Sequence, residues 1–205
     1  VFGPAAATNA GCTTTTSGAC SYADCTNGTT APNVDAGTLD ITGPGFPSLA
    51  VMPDGTNLYT YQSNSMTLIG GAAYGVTGMG GVVPAFGPVA IGAPSMVDLL
   101  APSLPDGGTA VVPTVTDLTV AWSQGEAQAT MFFEGSSTSG NQYFYCEWDA
   151  TQEKQVVPMS VMTPLAGQTG YVVYGQYTQT TFMVGSNWTV TEQVVPYSGG
   201  TVTFQ

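Results

Sequence analysis

Two hundred and five residues carry thirteen acidic side chains and one cation, Lys154, giving a formal net charge of −12 with no Arg and no His. Such a surface repels nucleic-acid phosphates and anionic lipid headgroups, and no apolar run approaches the roughly 20 residues a membrane-spanning helix needs. The absence of His removes His-based triads and His-ligated metals, which leaves carboxylates as the groups for acid–base chemistry.

Charged residues make up only 7% of the chain, against 43% hydrophobic and 10% aromatic residues. That is enough apolar material for a packed interior, and the polarity comes from Thr, Ser, Asn and Gln, as in extracellular β proteins. The opening Val1-Phe2-Gly3-Pro4 lacks a signal-peptide pattern and reads as a mature, secreted form at the cell surface.

Residues 1–36 are rich in Ala, Thr, Gly and Asn with no sustained period, and they read as an irregular cap rather than a strand layer. Three of the four cysteines, Cys12, Cys20 and Cys25, fall here, and Cys146 lies far along the chain. An even count in an oxidising compartment predicts two disulfides, one local and one long, with Cys12–Cys20 and Cys25–Cys146 the expected pairs. The seven and four intervening residues do not match the short pairs of zinc modules.

Strands are predicted at 38–42, 48–52, 57–61 and 65–69, separated by Gly-Pro, Pro-Asp-Gly and Ser-Asn signals. The glycines from Gly70-Gly71 to Gly80-Gly81 loosen the chain before Val89-Ala90-Ile91 resumes the pattern. A module boundary is placed near Ala101-Pro102-Ser103, giving a cap over 1–36, a β-sandwich over 37–101 and a second over 102–205. In the second, Leu118, Val120 and Trp122 point one way while Thr119 and Ala121 point the other, and Phe144, Cys146 and Trp148 repeat the alternation. Further strands are expected at 129–133, 155–157, 171–174, 180–184, 188–191 and 201–204, with one helical turn over 158–162. The fold class is all-β, two packed sandwich modules with a disulfide-bonded N-terminal tail.

The order of a turn, Asp117-Leu118-Thr119-Val120-Ala121-Trp122, a following strand and the closing Gly200-Thr201-Val202-Thr203-Phe204 resembles secreted bacterial immunoglobulin-like or fibronectin-type surface modules over residues 102–205. The resemblance implies a surface or adhesive role. The inter-sheet cysteine pair of antibody domains is missing, because this half holds Cys146 alone.

Glu126, Glu134, Glu147, Asp149 and Glu153 lie on or beside strands of the second module, where a pair facing a cleft would suit carboxylate hydrolysis; no motif pairs them, and solvated strand-edge charges that discourage edge pairing are the preferred reading. No cofactor is expected. An acidic surface attracts calcium, but no Asp-x-Asp-x-Asp array gathers the oxygens it requires. Tyr59 and Tyr61, Tyr143 and Tyr145, and Tyr171 and Tyr174 are candidates for an aromatic surface that stacks on sugar rings or on a protein, burial in the core being the competing reading. Asn27-Gly28-Thr29 and Asn187-Trp188-Thr189 match the glycosylation sequon.

The expectation is therefore a non-catalytic extracellular structural protein, a homopolymer subunit of a surface filament or layer. Assembly would proceed by strand addition or by docking of the tail that begins Val1, Phe2 and Pro4. An adhesive or carbohydrate-binding module is the alternative.

Overall fold

The computed structural model describes residues 11–27, 33–59, 68–104 and 108–205, and the protein is all-β. The chain begins with β1 (Thr13–Ser17) and β2 (Cys20–Asp24), followed by β3 (Leu39–Gly43), β4 (Phe46–Val51), β5 (Ala73–Gly78) and β6 (Phe86–Gly92). Next come β7 (Leu99–Ala101), β8 (Thr109–Val112), β9 (Leu118–Trp122), β10 (Thr130–Ser137), β11 (Gln142–Asp149) and β12 (Lys154–Val157). A single helical turn, α1 (Met159–Met162), precedes β13 (Thr169–Val184), β14 (Trp188–Val194) and β15 (Tyr197–Phe204).

These strands form two compact units, each assembled from segments distant in sequence. Among the described residues the larger unit comprises 11–27, 96–176 and 197–205, and the smaller 33–95 and 177–196. This differs from the contiguous modules 37–101 and 102–205 read from the sequence: the first strands of the chain join the larger unit, and residues 177–196 leave it.

In the larger unit a seven-stranded sheet runs β1-β2-β11-β10-β13-β15-β8, and a three-stranded sheet runs β12-β9-β7. Both contribute to one core. Leu118, Val120 and Trp122 of β9 and Val157 of β12 are buried with Met131, Phe133, Phe144, Cys146, Trp148, Val172, Val202 and Phe204. The period-2 alternation of β9 and β11 is what places these side chains inward. The Trp122 and Trp148 rings stack 5.8 Å apart at 17°, and Trp122 Nε1 donates to the Ala150 carbonyl at 2.7 Å, so the indole is buried with its polar atom satisfied. The C-terminus is fixed beside β8, where the Gln205 amide donates to the Val112 carbonyl at 2.9 Å.

The irregular cap expected over 1–36 is not what residues 13–24 form. They make an antiparallel hairpin, β1–β2, whose second strand pairs with β11. The expected disulfides are also corrected. The bridges are Cys12–Cys25 and Cys20–Cys146. Cys20 and Cys146 face each other as register partners on β2 and β11, while Cys12 and Cys25 lie just outside the two ends of the hairpin. Strand pairing thus decides the connectivity.

In the smaller unit the sheet order is β4-β3-β5-β6, and the second half of β13 forms a hairpin with β14. The hairpin packs on this sheet: Val194 clusters with Tyr74, Ile91 and Ala93, the Phe86 and Phe182 rings lie 5.6 Å apart, and the Thr178 hydroxyl donates to the Gly92 carbonyl. The glycine-rich stretch expected to be loose contains β5, a central strand. Glycine is needed at Gly78 of β5, and at Gly43 of the neighbouring β3, because an aromatic ring lies over each. A Cβ on Gly78 would fall 2.3 Å from the Phe86 ring, and one on Gly43 2.2 Å from the Tyr74 ring. Residues 57–59 are not a strand; the Asp54 carboxylate instead collects the amides of Thr56 at 2.7 Å and Leu58 at 3.0 Å into a turn. The rest of the expected 57–61 strand, and 65–67 of the next, lie outside the described residues.

Candidate functional site

Two surfaces of the larger unit hold most of the residues singled out from the sequence. The first is the edge of the seven-stranded sheet. β1 pairs with β2 on one side and, among the described residues, with no strand on the other. Thr13, Thr14, Thr15 and Thr16 are all exposed. The edge is held at several points. Cys12–Cys25 closes the open end of the hairpin, Cys20–Cys146 fastens β2 to β11, and α1 lies against both hairpin strands. At the end of β2 the Asp24 carboxylate accepts from the Thr26 hydroxyl at 2.6 Å and amide at 2.9 Å, and from Gln142 Nε2 at 3.0 Å. The Thr26 hydroxyl first, then its amide and Gln142, hold this carboxyl below the usual aspartate range.

The second surface is the outer face of the same sheet. Tyr143, Tyr145, Glu147 and Asp149 alternate along β11 on the side opposite Phe144, Cys146 and Trp148. Register sets Glu134 of β10 opposite Tyr145, and Phe132 opposite Glu147. The Tyr145 hydroxyl donates to Glu147 Oε1 at 2.9 Å, and the Phe132 and Tyr145 rings stack 6.1 Å apart. Burial pushes the Glu134 carboxyl up, whereas hydrogen bonds from the Thr151 hydroxyl and amide hold Asp149 down. An open depression of about 400 Å³ at the end of this face is lined by Gln128, Ala129, Thr130, Glu147, Trp148 and Asp149.

Three of the five carboxylates expected from the sequence therefore share one face, and two do not. The Glu126 amide is bonded to Gln176 Oε1 at 3.1 Å away from that face, and Glu153 sits exposed in a left-handed conformation, φ 58°, at the end of the turn before β12. Among the described residues no three acidic or cysteine side chains converge closely enough to hold a metal ion. The shared face offers aromatic surface and carboxylate oxygens as hydrogen-bond acceptors.

Farther across the same sheet, Tyr171 and Tyr197 are 47% and 54% exposed. Tyr171 lies opposite Thr201, and Tyr197 opposite Gly175, so the two tyrosines sit four ladder positions apart, about 13 Å along the strands. Tyr197 was not among the residues picked from the sequence. Its signal was the alternation Tyr197, Gly199, Thr201 in the last strand.

The other aromatic candidates divide. Tyr174 packs partly buried against the core. Tyr59 belongs to the smaller unit and is structural there: its hydroxyl accepts from the Ala36 amide and donates to the Gly37 carbonyl, both at 2.8 Å. Val1, Phe2, Pro4 and Tyr61 lie outside the described residues. Asn187 is exposed in the turn between β13 and β14, and the other sequon lies partly outside the described residues. No family model matches this chain, and no curated protein matches it.

Proposed function

We propose that this chain is a non-catalytic extracellular structural module that assembles with copies of itself by strand addition at β1. The observation that carries this reading is the character of that edge: a straight five-residue run, Thr13-Thr14-Thr15-Thr16-Ser17, with uncharged hydroxyl side chains. Edge strands are ordinarily blunted by Lys, Pro, a bulge or inward charge. β1 has none of these, and its pairing with β2 runs without a register shift. Its outward N–H and C=O groups are held in extended geometry by the two disulfides, so a neighbour's segment would dock without first ordering the edge. A head-to-tail contact of this kind that does not close on itself builds a filament.

The test uses two variants, Thr14→Pro and Thr15→Pro, because alternate amides of an edge strand point away from its partner. Particle size is followed by light scattering and electron microscopy. One of the two is expected to reduce particles to the 20.9 kDa monomer while retaining the fold. Particles of unchanged size in both variants would overturn the reading.

A second reading, an adhesive or carbohydrate-binding module, is favoured by Tyr171 and Tyr197. Two exposed tyrosines offset by about 13 Å along the strands on one sheet face match the span of a few sugar units, with Glu147 and Asp149 on the same sheet as acceptors for hydroxyls. Retardation of the protein in gels containing neutral polysaccharide, lost in the Tyr171→Ala, Tyr197→Ala double variant, is its expected outcome. Equal mobility of both proteins would remove it.

A further inference from the structure

Glu192 lies on β14 in the smaller unit, 3% exposed. Among the described residues neither of its carboxylate oxygens has a hydrogen-bond partner. It shares its strand face with Val190 and with Val194, which belongs to the apolar cluster of Tyr74, Ile91 and Ala93. An ionised carboxylate in such a place without a partner is costly, and the ordinary outcome is that it takes a proton.

We propose that Glu192 makes the β13–β14 hairpin a pH-sensitive clasp, seated on the four-stranded sheet while the carboxyl is protonated and released when that proton is lost to solvent.

Among the described residues of this unit no cation is present to hold the charge in place. Across the hairpin Glu192 faces Thr180. β6 presents Phe86 and Ile91, and β5 presents Val76 and Tyr74, whose hydroxyl already accepts from the Ile69 amide at 2.8 Å. The other titratable side chains described in this unit are Asp35, Asp40, Asp54, Tyr59 and Tyr177. Asp40 is on the face of β3 opposite Leu39 and Ile41, Asp35 bonds the Gly37 amide, and Asp54 is engaged in its own turn. All are acidic or neutral, so none offsets a charge on Glu192. The chain's one cation, Lys154, pairs into β12 of the larger unit opposite Ala121. Burial accordingly pushes the Glu192 carboxyl up to about 7.

Connectivity makes the hairpin the element that moves. Residues 177–196 enter the smaller unit from β13 and leave it to β15, both of which continue into the seven-stranded sheet. The hairpin can lift from its sheet while both its ends remain anchored. Because a carboxyl with a raised native pKa binds more protons folded than unfolded, the closed state is favoured fully below the ordinary carboxylate range. That preference is lost as pH rises to about 7 and is level above it.

Hydrogen exchange of the full chain at pH 5 and pH 8, corrected for intrinsic rates, tests this. Amides of residues 178–194 are expected to lose protection at pH 8, their opening constant rising on the order of a hundredfold, and Glu192→Gln and Glu192→Leu are expected to abolish the difference. Protection that does not change with pH in the natural chain, or an equal change in both variants, would overturn the proposal. If the variants do not fold, the carboxyl carbon of Glu192 is titrated by NMR in the natural chain. A midpoint in the ordinary carboxylate range would overturn the proposal, and one near neutrality with concurrent loss of β14 protection would support it. The clasp is independent of the edge-assembly reading, since β1 lies in the other unit.

Discussion

In the larger unit Trp122, Phe133, Phe144 and Phe204 are almost inaccessible to solvent, one disulfide closes the β1–β2 hairpin and the other ties it to β11. The smaller unit buries Tyr74, Val76 and Ile91 beside glycines, contains none of the four cysteines, and encloses the carboxyl of Glu192. Large rings removed from water contribute most per residue to stability, and glycine contributes least while losing the most backbone freedom. The difference implies two levels of stability in one chain, with local opening concentrated in the smaller unit. The surfaces proposed for binding lie on the disulfide-bonded unit, and the proposed switch lies on the other.

The strongest way to break this contrast is to remove Cys20–Cys146. The bridge closes a sequence separation of 126 residues, for which the chain-entropy relation gives about 4–5 kcal/mol. Replacing both cysteines by Ala is expected to lower the larger unit by that amount and to bring its unfolding down to or below that of the smaller one. Tryptophan fluorescence reads the two separately, because Trp122 and Trp148 belong to the larger unit and Trp188 to the smaller. Urea titration in a Trp188→Phe background would follow the larger unit alone. A midpoint unchanged by the double replacement would mean that the paired strands β2 and β11 hold without their bridge.

The same contrast explains what could be read in advance. The alternations of β9 and β11 were legible because each strand has one buried face and one open face, and a period of two is the imprint of that asymmetry. β1 was missed because both of its faces are exposed, so four threonines carry no period, and the disulfide pairing went wrong with it. β5 is not legible because its glycines answer to other strands, Gly78 to the Phe86 ring of β6 and Gly75 to Thr42 of β3, relations the local sequence does not contain. β13 was read as two strands because Gly175 and Gln176 interrupt its apolar run, although both are buried. Glu192 was legible in principle: Val190, Glu192 and Val194 alternate with Thr191 and Gln193, which sets an acid in an apolar register.

The smallest effect expected, and the one that sharpens the comparison, is at Tyr74. Its ring is 3% exposed, lies against Gly43, and joins the cluster that seats the β13–β14 hairpin. Its hydroxyl accepts from the Ile69 amide at 2.8 Å. Tyr74→Phe keeps the ring and removes the hydroxyl, which also donates to the Pro44 carbonyl at 3.4 Å; the Ile69 amide loses its acceptor, which costs about 1 kcal/mol. Because the loss falls within the smaller unit, Trp188 fluorescence should report a lower urea midpoint while the Trp122 and Trp148 signal stays where it was. If both signals shift together by the same amount, the two units unfold as one, and the difference in their interiors is a difference in packing without a difference in stability.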